Sequence, residues 1–148
     1  MQTVNGVERG IPLTEKEAKM FPPQTVSPRL AVGVREPETV ILWQLNVNVC
    51  PHVNAANQCQ TYGTRPLICR SFPVVAGSIP NRCRVFSYRK VGVSYSEPYT
   101  MASQLEASER LNIYIKNGIR KHPRRGLKIW EYDLKTQRWV NEQNCSAP

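Results

Sequence analysis

Apolar residues in this chain gather into a few readable patterns, with long stretches of no clear period between them. At 39–49, TVILWQLNVNV, β-branched and aromatic residues run together and then alternate, with Leu45, Val47 and Val49 set between polar neighbours. That pattern predicts a strand, buried on both faces in its first half, which delivers the chain to Cys50. From Thr100 to His122 the spacing changes. Met101, Leu105, Leu111, Ile115 and Ile119 fall in one stripe of about 120° at a helical period, which predicts a long amphipathic helix ended by Pro123. The following LKIWEYDLKTQRWVN predicts a hairpin, Ile129 to Leu134 and Arg138 to Asn141 around Lys135-Thr136-Gln137. RCRVFSYRKVGV, 82–93, reads as a further strand.

Local polar signals fill in the start of the chain. In IPLTEKEAKMF, Thr14 is placed to cap a helix and Glu17 stands three residues on, the capping-box arrangement. Phe21 runs straight into Pro22-Pro23, so this helix is short. Residues 22–38 hold four prolines and read as an extended or looped connector. Residues 50–83 hold four of the five cysteines and little periodicity, which predicts loops and turns organised by something other than a hydrophobic face. The sum is an α+β fold: one small domain with a loop-rich, metal-organised centre, a long helix and a C-terminal hairpin.

Size and composition narrow this further. A chain of 148 residues fits one domain with a modest core, and twelve prolines favour many turns. No run of apolar residues is long enough to span a membrane. MQTVNGVERG lacks an apolar stretch after a basic start, so the reading is a cytoplasmic protein. A formal charge of +9 favours acidic partners, although Lys and Arg also coat ordinary soluble surfaces.

Cys50, Cys59, Cys69 and Cys83 are spaced nine, ten and fourteen apart, wider than the tight knuckles of zinc ribbons. Their neighbours sharpen the signal. Pro51 follows Cys50, and Pro66 precedes Cys69 and holds Arg65 extended, so both cysteines sit on stiff turns that lose little entropy on closing around an ion. Arg65, Arg70, Arg82 and Arg84 flank the set, which suits it, because four thiolates on one ion leave net negative charge. The competing readings are buried thiols acting as small hydrophobes and one or two disulfides. His52 is an alternative ligand beside Cys50, and His122 a partner for a helix C-terminus. Cys145, near the chain end, is left outside the set.

CPHVNAANQCQTYGTRPLICRSFPV resembles the YkgJ-type cysteine-cluster family, a zinc- or iron-chelating CxxCxxCC domain. Cys50-Pro51, Cys59, Tyr62, Arg65-Pro66, Cys69-Arg70 and Phe72-Pro73 fill that family's pattern in order. GIPLTEKEA also resembles its helix entry, so the likeness covers roughly 7–83, with 84–148 a helix-and-hairpin extension. The resemblance implies a zinc or iron–sulfur site at Cys50, Cys59, Cys69 and Cys83, of which Cys83 lies where the family pattern varies. It also leads us to expect the CxxCxxCC cluster ahead of Val7, where this sequence has six residues and no cysteine. Those ligands are either lost or upstream.

Three functions follow as expectations. The first is a metal-binding protein with a structural, redox or assembly role. The second is an iron–sulfur-dependent enzyme, for which family members linked to protein lysine methylation are the analogy; no Gly-rich phosphate loop, HExxH or paired acid–base motif is present. The third is nucleic-acid binding through Lys116, Arg120, Lys121, Arg124, Arg125 and Lys128 with Trp130, Tyr132 and Trp139 nearby, unless the tryptophans face the core under the long helix.

Overall fold

A computed structural model describes residues 2–4, 6–56, 59–60, 64–71 and 98–141. It is a mixed α+β structure built on antiparallel pairing. Strands β1 (Gln2–Val4) and β2 (Val7–Arg9) make a small hairpin. β3 (Ile11–Leu13), β4 (Val26–Gly33), β5 (Thr39–Leu45), β6 (Lys128–Asp133) and β7 (Arg138–Asn141) form a five-stranded sheet in the order β3-β5-β4-β6-β7. Helix α1 (Glu15–Ala18) follows β3, a 3₁₀ turn spans Pro23–Thr25, and α2 (Leu67–Ser71) and α3 (Pro98–Arg120) lie between β5 and β6.

The sheet's centre is β4, within the segment whose prolines read as a connector. That reading is corrected here for residues 26–33, and the reason is positional. Pro28 lies where β4 pairs with β5 alone, because pairing with β6 begins at Leu30, so its missing N–H leaves the β6 ladder intact. The register with β5 shifts on either side of Leu30, a bulge that absorbs the irregularity. The strand reading at 39–49 narrows to Thr39–Leu45, with 46–49 leaving the sheet. The hairpin lies at Lys128–Asp133 and Arg138–Asn141, its turn closed by Gln137 at φ 54°. The segment RCRVFSYRKVGV lies outside the described residues.

Two apolar clusters hold these elements together. Leu30, Val32, Ile41, Leu42 and Ile129 of the sheet meet Leu67 of α2 and Ala107, Leu111 and Ile115 of α3. Leu111 and Ile115 are fully buried and Ile119 packs against the cluster, but Leu105 is 53% exposed. Ala107 and Ser108 take the inward place there. At the other end Leu13, Phe21 and Leu45 are joined by Ala18, Met20, Trp43 and Cys50. Thr14 and Glu17 form the capping box that starts α1.

A buried polar seam fastens β2 and β3 to the sheet. Arg29 donates to the Gly10 carbonyl at 2.8 Å, and the Gly10 N–H donates to Gln44 Oε1 at 2.8 Å. Gln44 Nε2 in turn donates to the Pro28 carbonyl at 2.8 Å. A Cβ at Gly10 would stand 1.6 Å from the Leu45 carbonyl oxygen, so only glycine fits. Arg9 pairs with Glu131 in the interior.

Asp133 closes the seam by accepting from the Glu8 N–H at 2.9 Å, the Lys135 N–H at 3.1 Å and the Thr136 hydroxyl at 2.8 Å. Burial pushes its carboxyl up, but these donors outweigh that and hold it below the usual range. The carboxylate's contribution is complete above the unfolded pKa, about 3.9, and is lost as pH falls through the lower folded value. Acid titration of stability is therefore expected to steepen below about pH 4 in the parent and to flatten in Asp133→Asn, followed by urea unfolding at each pH.

Candidate metal centre

Three described cysteines arrive from separate pieces of backbone. Cys50 comes off the end of β5, where Asn46 anchors the exit by donating to Ser27 Oγ at 2.8 Å and through its N–H to the Thr25 carbonyl at 2.9 Å. Cys50 packs on the Leu13–Phe21–Leu45 cluster, and its carbonyl accepts from the Val53 N–H at 3.2 Å, closing a turn over Pro51. An isolated bridge pairs Val53 with Cys59, and the Gln60 N–H reaches the His52 carbonyl at 2.8 Å. The loop thus doubles back and returns Cys59 beside the turn that holds Cys50.

Cys69 rides on α2. Pro66 precedes the helix, and its carbonyl accepts from the Arg70 N–H at 3.0 Å. The Leu67 side chain is buried against α3, while the Leu67 N–H donates to Glu17 Oε1 at 2.7 Å. Glu17 is already engaged: its Oε2 accepts from the Thr14 N–H at 2.9 Å in the capping box. One carboxylate therefore ties α1 to the first turn of α2 across a separation of fifty residues. Sequence reading assigned Glu17 only its local role, because nothing near residue 17 signals the second.

Cys50, Cys59 and Cys69 are not joined in disulfides, and Cys50 and Cys59 lie near enough to Cys69 to act on its charge. The Cys69 thiol is pushed up to about 11, first by burial, then by the negative charge Cys50 and Cys59 would carry nearby; Arg65 opposes the shift and Glu17 adds to it. Arg70 is half-buried, and its Nε finds no hydrogen-bond partner among the described residues. Cys83, Arg82, Arg84, Tyr62, Phe72-Pro73 and Cys145 lie outside the described residues. As placed, no three of the described His, Cys, Asp and Glu side chains stand close enough together to hold an ion.

Soft sulfur donors on stiff turns, with an arginine beside them, fit zinc or an iron–sulfur cluster better than hard cations such as Mg²⁺ or Ca²⁺. His52 sits against the same region. Its Nε2 lies 3.0 Å from the Met20 carbonyl, and its ring tilts at 49° on Phe21 with centroids 4.7 Å apart. A carbonyl only accepts, so Nε2 carries the proton and Nδ1 keeps its lone pair when the ring is neutral.

A raised thiol has a kinetic signature. Alkylation requires the thiolate, so the rate at Cys69 in the metal-free protein is expected to keep climbing to about pH 11 rather than level off near 9. Mass mapping of the modified peptide against pH reads this directly, and a plateau below pH 9 contradicts the buried position.

The basic run divides between exposed, half-buried and paired positions. Arg120, Lys121 and Arg125 are exposed at the end of α3 and just beyond, Lys116 and Lys128 are half-buried, and Arg124 pairs with Glu38. On β6, Ile129 faces the core under α3, so Trp130 and Tyr132 point to the opposite face. The Trp130 indole donates to the Gly33 carbonyl at 3.1 Å, and Tyr132 meets Trp139 edge-on at 5.2 Å. The rings and the α3 cations therefore serve different sides of the sheet.

No helix among the described residues is long and apolar enough to cross a membrane. No family model, curated protein or solved structure matches this chain.

Proposed function

We propose that this chain is a metal-binding cysteine-cluster protein whose ligands are Cys50, Cys59, Cys69 and Cys83, holding zinc or an iron–sulfur cluster. What supports it is that the Val53–Cys59 bridge returns Cys59 to the Cys50 turn, while Glu17 ties α2, which carries Cys69, to α1. Cys83 supplies the fourth sulfur that tetrahedral zinc or a cluster takes. Arg65 offsets thiolate charge, and Glu17 sets where α2, and with it Cys69, meets the site. The bound group would cross-link the Cys50 turn, the Cys59 bridge and α2, so its binding energy becomes folding energy for residues 50–71.

The test is metal and sulfide analysis with a visible spectrum, on the full chain purified without oxygen. Zinc near one per chain without colour supports a structural site. Iron with sulfide and a brown colour supports the cluster and strengthens the analogy to cluster-dependent enzymes. Metal-free protein with every thiol titrating as free overturns the proposal.

A further inference from the structure

β5 has a neighbour along its whole length on one side but along only part of it on the other. β4 pairs with it from Thr39 to Leu45, whereas β3 pairs only with Trp43, Gln44 and Leu45. Among the described residues no strand pairs with the outer edge of β5 from Thr39 to Leu42. A strand with one neighbour keeps a row of N–H and C=O groups facing outward, which is a template for a further strand. Thr39 is exposed and Val40 half-buried along this stretch.

The space beside that edge is a cleft of about 530 Å³ between β5 and the last turns of α3. Gly118 forms part of its wall and sets how near the helix comes, since a Cβ there would already stand 3.2 Å from Ile41 Cβ. Thr39, Tyr114, Asn117 and His122 add polar groups to the lining, and Arg120 and Lys121 make it cationic. Glu15 is the single carboxylate in the lining, while Glu38, next to the edge, is already paired with Arg124. Arg120 and Lys121 offset the carbonyl end of α3 in part, and both remain exposed to solvent.

An outward-facing strand edge and a cationic wall ask for the same occupant. A small anion would satisfy the cations and leave the edge unpaired; a neutral strand would pair the edge and leave the cations without a partner. We propose that this cleft receives an extended acidic segment of a partner protein, which adds to β5 as a further strand and sets alternate carboxylates against Arg120 and Lys121. The residues involved are separate from the cysteines, so this inference stands whether or not a metal is bound.

The experiment is fluorescence anisotropy of the full chain with a labelled seven-residue peptide alternating Glu and Val. Saturable binding is expected, weakened at least about tenfold by Arg120→Glu combined with Lys121→Glu, two exposed positions whose reversal leaves the core untouched. N-methylation of alternate peptide amides is expected to abolish binding, because the ladder hydrogen bonds are then blocked. Amide NMR signals of residues 39–42 are expected to shift on titration. No binding, equal binding of the N-methylated peptide, or full displacement by equimolar citrate each overturns the proposal, the last by showing that the cleft takes a small anion.

Discussion

If the proposed metal centre forms, Cys69→Ser is expected to strip its metal and loosen residues 50–71 while the sheet stays folded. Of the cysteines described, Cys69 has its thiol pushed up by burial and by its two cysteine neighbours. A metal must displace that proton, and serine offers a hydroxyl that does not ionise in the accessible pH range. In the proposed four-sulfur site, removing one sulfur would forfeit much of a binding energy of about 10–16 kcal/mol for structural zinc, energy that would otherwise order the loops. Cys69 itself is no member of the main core, and loosening α2 takes only Leu67 and Ile68 out of it while the strands stay paired. Metal content is therefore expected to fall below about a tenth of the parent value, with new protease cuts between 50 and 71 and an unchanged far-ultraviolet signature of the sheet. Cys69→Ala separates ligation from packing. If both variants keep the parent's metal, Cys69 is not a ligand; if both fold and cut like the parent, the site does not order the loops.

What the sequence made legible was local. Thr14 and Glu17 sit three apart and form their box because the motif needs only one turn of chain. The strand at Thr39 and the hairpin at Arg138 follow from β-branched and aromatic content over a few residues. Residues whose roles depend on distant partners were not legible. Arg29, in a proline-rich stretch, looks like a solvated loop residue, yet it is 1% exposed because the Gly10 carbonyl waits for its guanidinium. Glu131 alternates with Trp130 and Tyr132, which invites the rings inward and the carboxylate outward. The reverse orientation wins because Ile129 shares a face with Glu131 and is needed under α3, and Arg9 supplies the counter-charge. The candidate site shows the same division. Its candidate cysteines stand out in the sequence by their proline and arginine neighbours, whereas the clamp from Glu17 to α2 does not, since it joins residues fifty positions apart.

Glu131→Ala is expected to be among the most destabilising single changes outside the cysteine centre. Glu131 is 0% exposed and Arg9 5%, and Arg9 Nη2 donates to Glu131 Oε2 at 2.9 Å. Truncating the carboxylate leaves a guanidinium in the interior without its counter-charge, and Arg stays protonated rather than shed the cost by neutralising. Breaking a buried pair from one side costs about 3–5 kcal/mol, a large share of the 5–15 kcal/mol that holds a typical domain together. The pair need not add much net stability for this to be so. Replacing both members, Arg9→Met with Glu131→Leu, removes the two desolvated charges together and is expected to recover most of the loss. The cycle also tests a structural role, because the pair joins β2 to β6 and holds the first strands over the sheet. If the apolar pair restores stability but amide exchange in residues 7–10 quickens, the charges are there to place β2 rather than to hold the fold. A loss below about 1 kcal/mol for Glu131→Ala, measured by urea unfolding, would show instead that water reaches Arg9 once the carboxylate is gone, and that the seam is less closed than its burial indicates.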